Sequence, residues 1–139
     1  MRKINMIIWH CTATAEGKDY TVEQIRNWHV KGNGWQDIGY HFVVYRDGTV
    51  HLGRPLEKQG AHCSGKNANS IGCVYVGGCA ADGKTPKDTR TPEQKKAMLE
   101  LTKELLQQYP NCSIHGHREF ANKACPSFDV QEWAIENQL

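Results

Sequence analysis

The pattern of apolar and polar positions divides the chain into a short series of elements. Residues Ile4 to Cys11 form a nearly continuous apolar run rich in Ile, and at this length the run predicts a strand buried on both faces, with His10 at its carboxyl end. Thr21-Val22-Glu23-Gln24 has capping-box spacing, and Val22, Ile25 and Trp28 follow at helical intervals up to the Gly32-Asn33-Gly34 break, predicting a helix of about three turns. In YHFVVYRDGTVHLGR two strand-like runs flank Asp47-Gly48, a dipeptide suited to a type I′ hairpin turn. The segment GAHCSGKNANS reads as a loop, and Ile71 to Val76 as a strand closed by Gly77-Gly78.

Further along, Thr91-Pro92-Glu93-Gln94 combines an N-cap, a proline at the first helical position and a glutamine three residues beyond the cap. Met98, Leu101 and Leu105 continue on one face until Pro110 stops the longest helix. Cys112 to His115 is a short strand candidate, HGHREFANKACPSFD a loop, and Val130, Trp133 and Ala134 predict a closing amphipathic helix capped near Ser127. There are no repeats or low-complexity segments, so the pattern predicts a single mixed α/β domain with helices packed on a central sheet.

Composition narrows the partners. At 139 residues the chain can bury its own core, and 17 basic against 15 acidic residues give a net charge of +2 with no long like-charged run. Nothing here is an electrostatic footprint for nucleic acid or an anionic membrane. No apolar stretch approaches the roughly 18 residues of a membrane span. The opening MRKINMIIWH lacks the apolar length and cleavage site of a signal peptide, which predicts a cytoplasmic product. The six cysteines form no CxxC pair and are expected to stay reduced unless the protein works outside the cell, where a Cys63 to Cys73 bridge is the candidate.

His10, His117 and Cys125 fall at strand ends and following loops, and two histidines with one cysteine match the donor count of a catalytic zinc centre. His115, two residues before His117, is a competing ligand on spacing alone. A thiol-nucleophile reading pairs Cys125 with His117 or His115, but Pro126 removes a backbone N–H from the region and His10 is left without a role. A structural zinc site would want a fourth protein ligand, and no convincing one is present. His29, His41 and His51 read as packing or surface residues, and Cys11, Cys73 and Cys79 as buried thiols.

Several stretches together resemble the zinc-dependent N-acetylmuramoyl-L-alanine amidases, a family that includes short phage lysozymes and shares a fold with peptidoglycan recognition proteins. They are IIWHCTAT at 7 to 14, IRNWH at 25 to 29, WQDIGYHFVVYRDGTVHLGR at 35 to 54, NSIGCVYVGG at 69 to 78, TPEQ at 91 to 94 and KACPSFD at 123 to 129, in family order across almost the whole chain. The resemblance implies one amidase domain over residues 1–139, built on a central mixed β-sheet flanked by helices. It implies Zn2+ held by His10, His117 and Cys125, catalytic Tyr40 and Lys123, and His62 lining the substrate cleft.

The activity it implies is hydrolysis of the amide between N-acetylmuramic acid and L-alanine in peptidoglycan, by a monomeric phage or prophage endolysin. Such an enzyme is cytoplasmic at synthesis and acts on the wall after release. The alternative is a non-catalytic peptidoglycan-binding or polymerase-regulating protein of the same fold. Non-cutting members commonly lose a zinc ligand, and all three positions are filled here. The sequence identifies no protein partner and excludes none.

Overall fold

The computed structural model describes all 139 residues. Its elements are β1 (Met6–Cys11), β2 (Thr14–Ala15), α1 (Val22–Asn27), β3 (Phe42–Val44), β4 (Val50–Leu52), β5 (Ser70–Tyr75), β6 (Gly78–Cys79), α2 (Pro92–Gln108), β7 (Ser113–Gly116) and α3 (Val130–Glu136). Five strands form one sheet in the order β4-β3-β5-β1-β7, mixed because only β3 and β4 are antiparallel. β2 and β6 make a separate parallel pair.

β1 lies between β5 and β7 and is covered on both sides. Alternation sends Ile7, Trp9 and Cys11 toward α2 and α3, where they join Ile71, Cys73, Tyr75, Met98, Leu101 and Trp133. Ile7, Ile8 and Trp9 have no exposed surface, and each such side chain contributes about 1.5–3 kcal/mol by leaving water. The polar edge of Trp9 is also satisfied: its indole N–H donates to Thr102 Oγ1 at 3.1 Å, and that hydroxyl donates to the Met98 carbonyl at 2.7 Å. On the opposite face Val43, Val74 and Val76 pack with Val22, Ile25 and Ile38.

Both capping boxes form as the sequence predicts, at Thr21 with Gln24 and at Thr91 with Gln94. The first helix continues to Gly32, but its last turn, Trp28–Gly32, widens to π geometry. The Asp47-Gly48 hairpin forms with a different turn. Only Gly48 takes a positive φ, +87°, and its N–H donates to the Tyr45 carbonyl at 2.9 Å. Type I′ needs positive φ at both central residues, whereas Asp47 instead accepts from the amide and hydroxyl of Thr49. The closing helix is capped by Asp129, which accepts from Glu132 N–H at 3.0 Å, and not near Ser127. Ser127 sits at φ +68° and donates its hydroxyl to the Gly78 carbonyl. All six cysteines are free thiols, Cys63 and Cys73 included.

The loop that carries Cys125 is tied to the sheet by Tyr75, whose buried hydroxyl donates to the Pro126 carbonyl at 2.6 Å. Tyr75→Phe strands that carbonyl, and such a loss costs about 1–3 kcal/mol. The urea midpoint should drop accordingly with an unchanged denaturant slope; an unmoved midpoint would mean the bond contributes nothing net.

Candidate metal centre

Strand alternation places His10 on the α1 face of β1, at its carboxyl end and 1% exposed. β7 runs parallel to β1, pairing Trp9 with Gly116, so the residue after Gly116 emerges beside His10. There the chain enters a 3-10 turn, His117–Glu119, that directs His117 inward. The loop then returns: the Arg118 N–H donates to the Cys125 carbonyl at 2.8 Å, closing the segment that holds the cysteine.

His10 Nδ1 lies 3.1 Å from His117 Nδ1 and 3.9 Å from Cys125 Sγ, and the three donor atoms all lie within 4.8 Å of one another. Tetrahedral bonds of about 2.0 to 2.3 Å give edges of roughly 3.3 to 3.6 Å, so these separations suit a cation seated among the three atoms. The Cys11 N–H donates to Cys125 Sγ at 3.2 Å, a hydrogen bond that favours sulfur in its thiolate form. The group can hold a metal ion, and three protein donors is the number found in catalytic centres.

The electrostatics suit the same role. Burial, followed by His62, His117 and Lys123, holds His10 well below its ordinary pKa. Burial and Lys123 lower His117 as well, so both rings are neutral at pH 7, the form that ligates. Hydrogen bonding with Cys11 and burial push the Cys125 thiol up, which removes the activated thiolate that a cysteine nucleophile needs. A divalent cation inverts that balance, because a coordinating thiol is deprotonated outright.

The other residues named from the sequence gather around this group. The Tyr40 ring lies 5.2 Å from that of His10, and burial, then Cys125 and Cys11, push its phenol up, so it remains a proton donor at neutral pH. Lys123 is exposed on the rim of a cleft of about 380 Å³ that Trp35, His62, His117 and Phe120 also line. His62 is buried against His10 and forms part of the inner wall. His115 stands apart, held by Glu119 at 2.8 Å and Ser113 at 2.7 Å, because β7 ends at Gly116 and the two histidines do not share a continuing strand face.

Trp35, Phe120 and Lys66 belong to the cleft region but were not singled out from the sequence. Trp35 is 36% exposed and its ring centroid lies 4.7 Å from that of His29; a large aromatic within the polar stretch NGWQD was the available signal. The Lys66 ammonium sits 5.0 Å from the Phe120 ring centroid, and neither residue's position follows from local sequence.

A mixed sheet with an open His-His-Cys donor group at the foot of a cleft defines a protein of the metallohydrolase kind. The family model described as N-acetylmuramoyl-L-alanine amidase matches residues 1–128, and the chain belongs to that family. The endolysin of Klebsiella phage KP32 is 43% identical over 138 residues, covering 99% of this chain and 90% of the relative. Among solved structures, the endolysin amidase LysCS from Clostridium intestinale superposes with a TM-score of 0.84 at 28% identity, covering 99% of this chain and 86% of its own. Bumblebee PGRP-SA superposes with a TM-score of 0.81 at 26% identity, covering 97% and 82%, so the fold is also that of peptidoglycan recognition proteins.

Two outcomes follow from this geometry. Elemental analysis after equilibrium dialysis should find one transition metal per chain, with affinity reduced more than tenfold in His117→Ala and Cys125→Ser and unchanged in His115→Ala. Acid stability should reflect His41, which accepts the Gly72 N–H at Nδ1 and, with its proton on Nε2, donates to the Lys58 carbonyl. Burial lowers its pKa to about 4 against about 6.5 unfolded, so below pH 6.5 the unfolded state takes up the proton first. Stability should therefore fall as pH drops from about 6.5 to 4; a flat profile in urea titrations across that window would contradict a buried neutral His41.

Proposed function

We propose that this chain is the lytic amidase of a phage or prophage, using zinc at His10, His117 and Cys125 to cut peptidoglycan between N-acetylmuramic acid and L-alanine. The observation that carries the reading is the buried His-His-Cys donor group, set at the foot of a cleft in a chain of the amidase family. Two neutral imidazoles and one thiolate form a borderline-soft set suited to zinc. The relatives named endolysins support the lytic setting. No helix is long and apolar enough to cross a membrane, so release to the wall would depend on another agent.

When bound, zinc supplies Lewis acidity that lowers the pKa of water to about 7 and polarises a carbonyl. The chain's own residues do the rest. Trp35 and Phe120 offer apolar faces along the cleft, which also includes His62, for the sugar and stem peptide. The Lys123 ammonium, on the rim above His10 and His117, stabilises negative charge that develops on the amide oxygen. Tyr40, protonated beside His10, orients the attacking water and relays a proton to the departing alanine nitrogen. The products are a carboxylate on the lactyl group and a free amine on L-alanine.

The alternative of a non-cutting peptidoglycan-binding or polymerase-regulating protein is weakened by the complete donor set. Digestion of purified peptidoglycan with the zinc-loaded protein should release stem peptides with a free L-alanine amine, identified by mass. Tyr40→Phe and Lys123→Met should each lower kcat by about 100- to 1,000-fold while leaving bound zinc near one per chain. Full activity in both variants, or no stem release by the wild type, would defeat the enzymatic reading.

A further inference from the structure

We infer that His62 is a positioning residue for the metal centre: it accepts a hydrogen bond from His10 Nε2, holding His10 in the tautomer that presents Nδ1 to the metal. The inference rests on the reading of His10 as a ligand. His10 Nδ1 is the atom that faces His117 Nδ1 and Cys125 Sγ, while His10 Nε2 lies 2.8 Å from His62 Nδ1. A neutral imidazole carries one proton, and if Nδ1 offers its lone pair to a metal, that proton is on Nε2. His62 Nδ1 must then be the acceptor, which puts the His62 proton on Nε2, 3.2 Å from the hydroxyl of buried Ser70. The chain of bonds runs from His10 through His62 to Ser70, and each direction follows from the one before.

His62 is built into this place. Asn67 Oδ1 accepts both the His62 and the Cys63 N–H at 2.9 Å, pinning the backbone under the ring. The ring lies over Gly72 of β5, where an added Cβ would come within 2.5 Å of His62 Cδ2. Gly60 leaves room on another side, since a Cβ there would approach the same carbon at 2.8 Å. With 9% of its surface exposed and both ring nitrogens engaged, His62 shows the cleft a ring edge and no free polar atom. Its influence on the reaction therefore passes through His10.

Outer partners of ligating histidines typically govern about 10- to 100-fold in metal affinity. The test compares wild type, His62→Leu, which fills the slot without an acceptor, and His62→Asn, whose Oδ1 stands near the place of Nδ1. Zinc affinity, measured by competition with a chromophoric chelator, should fall about 10- to 100-fold in His62→Leu and recover to within several-fold in His62→Asn. With saturating zinc, KM for soluble muropeptide should stay constant in both. Wild-type affinity in His62→Leu, or a raised KM with unchanged affinity, overturns the inference and makes His62 a substrate contact.

A measurement on the zinc-loaded wild type applies whether or not the variants fold. Nitrogen-15 NMR should show a proton on His10 Nε2 with scalar coupling across the bond to His62 Nδ1; zinc on His10 Nε2, or a proton on His62 Nδ1, overturns it. Absence of tight zinc binding by the wild type sinks the underlying amidase reading as well. Tight wild-type binding that His62→Leu leaves untouched sinks only the role of His62.

Discussion

The central strand β1 has to be buried on both faces, and the rest of the molecule is arranged around that constraint. One face needs a thick apolar cover, which α2 and α3 provide over Ile7 and Trp9. The other face carries His10 two residues beyond Ile8, so the end of the same strand must be roofed by groups that tolerate a polar ring. An apolar roof there would strand two ring nitrogens, each an unsatisfied buried group. Neighbouring histidines solve this, because each neutral ring offers one donor and one acceptor. The donor group is therefore continuous with the core and depends on the same packing.

Rigidity in the 117–127 segment comes from anchors of different kinds. The amide of Arg118 meets the Cys125 carbonyl, the Tyr75 phenol meets the Pro126 carbonyl, and the Ser127 hydroxyl meets the Gly78 carbonyl. Together they fix a loop with little secondary structure of its own to a buried strand and to β6. The precision required of a ligand atom is thus supplied by the sheet. Lys123 rides on the same loop yet stays exposed, which keeps its charge solvated until a substrate covers it.

What could be read from the chain depended on how local each signal was. The capping boxes at Thr21 and Thr91 involve residues three apart and appear as expected. The buried run of β1 was equally plain, since its length and Ile content leave little but a strand. Asp47-Gly48 announced a hairpin but not its turn, because Asp47 had a second option in hydrogen bonding to Thr49. Ser127 and Asp129 are both good capping residues, and only the contact with Gly78 decides that Ser127 serves elsewhere. His10, His117 and Cys125 were named on family pattern, and spacing alone left His115 in contention. The bond from His10 to His62 needed the fold, since the slot for His62 is opened by Gly72 on a different strand.

The three donor atoms come from positions 10, 117 and 125, near opposite ends of the chain. No short fragment contains the set, and the residues between them must adopt the parallel β1–β7 pairing before two of the three can meet. On a ribosome, a chain that has not yet passed residue 125 lacks the sulfur ligand altogether. Such a centre comes into being only with the last fifth of synthesis and the closing of the longest-range contacts. Metal capture is in that sense a proofreading signal for completed folding: a nicked, truncated or misregistered chain is unable to retain the ion.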